Sequence, residues 1–96
     1  MTISKEEALK QIIEALEEIN ENEDVIIDLN TNPIETLELD SGHGIPFACE
    51  METRLSIEIP DEVNPFVEDK PIPRARTVNE IADLLVALSE NQEEEK

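Results

Sequence analysis

The sequence predicts a small all-α bundle of three long helices plus a short one, joined by long loops. Three observations carry that prediction. Apolar residues recur at helical spacing in three separate stretches. Two of those stretches open on the pattern Ser/Thr-x-x-Glu, a capping box. Between them lie prolines, asparagines and aspartates that break regular structure. A length of 96 residues is one domain. We assign 1–89 to a single helical domain and 90–96 to a disordered acidic tail.

The first helix is expected over 4–20. Ser4 and Glu7 form its capping box, and Leu9, Ile12, Ile13, Leu16 and Ile19 form its apolar stripe. The segment after it, rich in Asn and Asp, holds Val25, Ile26, Ile27 and Leu29. These have strand propensity, but one short run without a partner makes a poor sheet. A long loop is expected, with its apolar residues tucked under the helices.

The second helix is expected to begin near Ile45 and end near Ser56. Pro46 fits only its first turn, and Gly42 and Gly44 loosen the chain before it. Phe47, Ala48, Met51 and Leu55 share one face, with Glu50, Glu52 and Arg54 off it. Pro60, Pro65, Pro71 and Pro73 mark a connector, with a short helical turn expected over 63–68. With Lys70, Arg74 and Arg76 as the main basic cluster, it reads as a solvated loop whose charges offset acidic neighbours, the alternative being a partner contact. Thr77 and Glu80 then cap the last helix. Its stripe of Val78, Ile81, Ala82, Leu85 and Leu88 ends near Ser89.

Charge excludes more than it assigns. The formal net charge is −18, from 25 acidic and 7 basic residues. Nucleic acid is a poor partner, because phosphate binding needs clustered Lys and Arg. A basic protein surface suits the field, which would speed encounter more than tighten it. Cys49 is the single cysteine, so no intrachain disulfide is expected. Cys49 and His43, alone of their kinds, do not make a transition-metal site. The first ten residues lack an apolar signal core, and no run approaches a membrane span. A cytoplasmic monomer is expected.

The chemistry centres on Ser41. As a nucleophile it would need a base, and His43 lies too near in sequence for a Ser-His-acid triad. Gly42 and Gly44 make only G-x-G, a weak phosphate-loop signal. Ser41 could cap a helix, or it could be modified. An exposed hydroxyl near a helix N-terminus suits an attached anion.

The segment TLELDSG, followed by IPFACEMETRLSIEIPDE, resembles the attachment region of the acyl carrier proteins. That family's pattern is roughly D-L-G-x-D-S-L, then an amphipathic helix, then I-P-[DE]. Leu37, Asp40 and Ser41 match its leucine, aspartate and modified serine without a gap. Ile59, Pro60, Asp61 and Glu62 match its closing segment. The stretch TVNEIADLLVAL resembles its last helix. The likeness covers most of 4–89 and is strongest over 37–62. It departs at Gly42 (usually leucine), at His43 and Pro46 (usually acidic), at Glu38 (usually glycine) and in an inserted connector over 64–75.

The resemblance implies an acyl-carrier-like bundle that catalyses nothing itself. A phosphopantetheinyl transferase would move 4′-phosphopantetheine from coenzyme A onto Ser41, with magnesium assisting. The arm's thiol would hold acyl intermediates as thioesters for partner enzymes of fatty-acid, lipid or related biosynthesis. Asp40, Ile45, Cys49 and Glu52 would meet those acyl synthases or acyltransferases, through apolar contact and charge on basic docking surfaces. Aminoacyl or polyketide cargo would use the same arm. The competing expectation is an acidic helical interaction module that is never modified.

Overall fold

Ser4 commits the chain to its first helix. In the computed structural model, which describes residues 3–20, 25–60, 63–68 and 74–94, its hydroxyl accepts from the Glu7 amide at 3.1 Å. The side chains of Ser41 and of 91–94 lie outside that description. Helix α1 runs over Lys5–Ile19 and closes with the Asn20 amide on the Leu16 carbonyl, 2.8 Å away. Its innermost residues are Ala8, Ile12, Ala15 and Leu16, while Leu9, Ile13 and Ile19 are only partly buried. The buried stripe is thus turned toward the two alanines. Small side chains let neighbouring elements approach closely, and α1 packs against both other helices.

The segment 25–40 is a loop, as its composition predicts, but only part of it is tucked inward. Ile27 is buried, whereas Ile26 is 84 % exposed and Leu29 is also exposed. Its fold is set by side chains that mimic backbone turns. Asn32 Oδ1 accepts from the Ile34 and Glu35 amides at 3.0 and 3.1 Å, and Asp28 Oδ1 accepts from the Asn30 amide at 2.9 Å. Thr31, Asn32 and Pro33 are buried here.

Helix α2 spans Gly44–Leu55, preceded by a single 3-10 turn, Ser41–His43. Pro46 sits in its first turn, where a missing N–H is tolerated. Phe47, Ala48, Met51 and Leu55 face inward. The helix stops at Ser56, which takes the left-handed conformation, φ 55° and ψ 44°.

The connector departs from expectation. The helical turn expected over 63–68 is absent. Instead the chain turns at Asn64, whose Oδ1 accepts from the Phe66 amide at 2.9 Å and whose carbonyl accepts from Val67 at 3.2 Å. Pro65 has no amide to continue a helix, and β-branched Val67 favours a strand. Strand β1, Val67–Glu68, then pairs antiparallel with β2, Arg74–Ala75, in register Val67 with Ala75. Nor are 63–68 and 74–76 a solvated loop. Pro65 and Phe66 are fully buried, and Phe66 packs on Phe47 with ring centroids 4.8 Å apart. Arg76 Nη1 donates to the Asn64 and Val67 carbonyls at 2.8 and 3.0 Å, which ties the hairpin to its own turn. Lys70 lies outside the described residues.

Helix α3 spans Val78–Glu94, past the expected end at Ser89, so much of the acidic segment expected to be an irregular tail is helical. No Gly or Pro interrupts that segment. Thr77 and Glu80 form the reciprocal capping box: Thr77 N to Glu80 Oε1 is 3.0 Å, and Glu80 N to Thr77 Oγ1 is 3.3 Å. Two further N-terminal amides, of Val78 and Asn79, reach the Thr31 and Leu29 carbonyls at 2.8 and 3.0 Å. Among the described residues the molecule is therefore mostly helical, with three α-helices and a small hairpin, and a fourth α-helix is not among them. Among the described residues, no helix is long and apolar enough to cross a membrane.

Candidate functional site

Ser41 begins the 3-10 turn that feeds directly into α2. The turn is closed by the His43 amide on the Asp40 carbonyl, 3.1 Å away. Gly42 and His43 are exposed, so this corner of the backbone faces solvent. The positive end of the α2 dipole points at it, although Pro46 withholds one N–H from that end.

Asp40 is held by a residue the sequence offered only as a rejected catalytic base. His43 Nδ1 lies 3.0 Å from Asp40 Oδ1 and 3.3 Å from the Asp40 amide nitrogen. One ring nitrogen thus faces both a carboxylate and a backbone donor. The spacing Asp-x-x-His was the available signal, since residues three apart meet across a turn.

The two glycines have different roles. A Cβ on Gly44 would collide with the Asn64 side-chain amide, which is already committed to the Phe66 backbone. Gly44 is therefore buried for close packing and does not clear space for an attached group. A Cβ on Gly42 would come within 3.1 Å of Asp40 Oδ1, the oxygen that pairs with His43.

Ile45, Cys49 and Glu52 lie together along one side of α2. With Ala48, Ile59, Pro60 and Val63 they line a shallow groove of about 180 Å³. Ile45 is 54 % exposed and Cys49 is also exposed. Glu52 has a structural duty as well, for its Oε2 accepts from the Ile59 amide at 2.9 Å. Asp40 does not line this groove. It lies at the turn before α2, so the four expected docking residues divide into a groove of three and a separate acid.

A second groove, of about 290 Å³, went unread in the sequence. Ala15, Ile19 and Pro46 supply its apolar surface, and Glu18, His43 and Glu50 are its polar residues. It lies between the last turns of α1 and the start of α2. Arg54 clamps the same two helices, with Nε 2.8 Å from Glu50 Oε1, Nη1 3.6 Å from Glu14 Oε2 and a further pair to Glu18. Hydrogen bonding to Glu50, more than the nearby charge of Glu18, holds the guanidinium above its ordinary pKa.

Comparison with protein-family models, with curated proteins and with solved structures gave no match.

Proposed function

We propose that this chain is an acyl carrier protein in which Ser41 bears 4′-phosphopantetheine. The observation that carries the reading is the position of Ser41: it opens a solvent-facing turn at the N-terminal end of an amphipathic helix. A second observation supports it. Glu38, where the resemblance expects glycine, has φ 58°, the left-handed conformation that glycine adopts most easily.

The residues present fit such a group. The exposed turn admits a modifying enzyme, and the dipole of α2 favours an anion at Ser41. When attached, the arm would supply a thiol that carries acyl groups as thioesters. The chain itself would catalyse nothing. Ile45 and Cys49 would offer apolar contact to partner enzymes, and the acidic surface would steer basic ones. The connector, whose Phe66 packs into the core, would mark a specialised member of the family.

The test is intact mass after incubation with coenzyme A, magnesium and a broad-specificity phosphopantetheinyl transferase. The chain should gain one phosphopantetheine, and Ser41→Ala should gain none. An unchanged mass for the unaltered chain would reject the proposal. The exposed Ile45–Cys49 groove in an acidic surface would then favour an unmodified interaction module.

A further inference from the structure

We propose that residues 25–29 are an open strand edge, and that they take an added strand from a basic protein segment in which lysine or arginine alternates with apolar residues. The inference stands apart from the carrier reading and from Ser41.

The backbone is the first reason. Val25, Ile26 and Ile27 are three β-branched residues in a row, which are strong strand formers. Among the described residues they pair with no strand, and their amides and carbonyls make no hydrogen bond. Ile27 is nonetheless buried, and the backbone groups of a buried residue are almost always paired. Exposure alternates from Ile26 to Ile27 to Asp28, as it does along a strand with one face covered. The run thus has the alternation and the unpaired backbone of a sheet edge.

The side chains are the second reason. Ile26 and Leu29 are both exposed large hydrophobics. The segment that carries them is pinned at its far end. The Asp28 amide donates to Thr31 Oγ1 at 2.8 Å, and the Asp28 carbonyl accepts from the Thr31 amide at 3.2 Å. The Leu29 and Thr31 carbonyls accept from the first two amides of α3. Chain fixed in this way has less freedom to lose when a partner arrives.

Charge names the occupant. Between Lys10 and Arg54 the chain has no lysine or arginine, and Glu21, Glu23, Asp24 and Asp28 flank the run. Two copies pairing edge to edge would set like charges against each other. A basic strand would instead pair main chain with main chain, cover Ile26 with its apolar residues and meet the acids with its cations.

The probe is a nine-residue peptide of alternating lysine and valine. Its control has the same charge with proline at each valine, and so lacks alternate amides and strand geometry. Amide NMR of the full chain with the valine peptide should show shifts centred on 25–29 and slowed hydrogen exchange at Val25, Ile26 or Ile27. The proline peptide should bind at least about tenfold more weakly, through loss of main-chain hydrogen bonds. Ile26→Ser, a surface change, should keep the circular dichroism of the unaltered chain and lose about tenfold in affinity for the valine peptide. Equal binding of the two peptides, or undiminished binding by Ile26→Ser, would reduce the contact to charge and overturn the inference. Absence of binding at about 1 mM peptide would overturn it too. A dimer in sedimentation of the chain alone, abolished by Ile26→Ser, would give the edge to a second copy and overturn the stated partner.

Discussion

Ser56 and Glu38 are the two described residues other than glycine with positive φ, at 55° and 58°. Left-handed backbone costs an L-residue roughly 1 kcal/mol, and glycine is spared it. Ser56→Gly should therefore stabilise the chain by about 0.5–1 kcal/mol, since glycine is also the preferred terminator of a helix. Urea unfolding would show the midpoint rise with the slope unchanged. A fall would mean that the Ser56 side chain has a duty that backbone geometry does not reveal. Neither left-handed conformation was legible from the residue type itself. Sequence patterns flag glycine as the left-handed residue, and here both places are filled by something else. Gly44, by contrast, was read as a flexible neighbour of Ser41, and it is a packing residue against Asn64.

Among the elements, the helices were the most legible, because spacing and capping chemistry point the same way. Ser4 and Thr77 each cap as their patterns predict. The hairpin was not legible, since two-residue strands give no periodicity and depend on pairing between residues that turn chemistry brings together. The beginning of α3 joins both kinds of information. Glu80 completes the capping box and also binds Arg74 from β2. The hydrogen bond from Arg74, then that from the Thr77 amide, lowers its carboxyl from 4.5 to about 2. A folded pKa below the unfolded one stabilises above the unfolded value and is lost as pH falls through the folded one. Stability tied to Glu80 should thus be intact above about pH 4.5 and vanish toward pH 2. Glu80→Gln should cost on the order of 1 kcal/mol at neutral pH, the worth of a helix cap with a solvent-screened ion pair. Its deficit against the unaltered chain should shrink over that acid window. Parallel losses at every pH would show that the side chain acts through packing alone.

At the scale of the whole molecule, two arginines gather five of the carboxylates. Arg54 draws Glu14, Glu18 and Glu50 together, and Arg74 draws Glu68 and Glu80. Arg54 therefore joins two helices distant in sequence, and Arg74 ties the hairpin to the start of α3. With a net charge of −18, repulsion still outweighs attraction overall. Raising sodium chloride from about 0.02 to 0.5 M should raise the urea midpoint, because screening relieves more repulsion than it weakens pairing. A lower midpoint would mean that the arginine clusters dominate. Acidity and class were plain from composition. The grouping of carboxylates around two cations was not, since it depends on which helix faces meet. The corner that presents Ser41 was legible as a helix start. The Asp40–His43 contact and the groove above α1 needed three dimensions.

The chain has no tryptophan or tyrosine and two phenylalanines, Phe47 and Phe66, and those two rings touch. Almost all near-ultraviolet circular dichroism must then arise from one junction, between α2 and the hairpin segment. The molecule thus has a built-in optical gauge, free of background from any other ring, for whether binding at α2 loosens the docking of that segment.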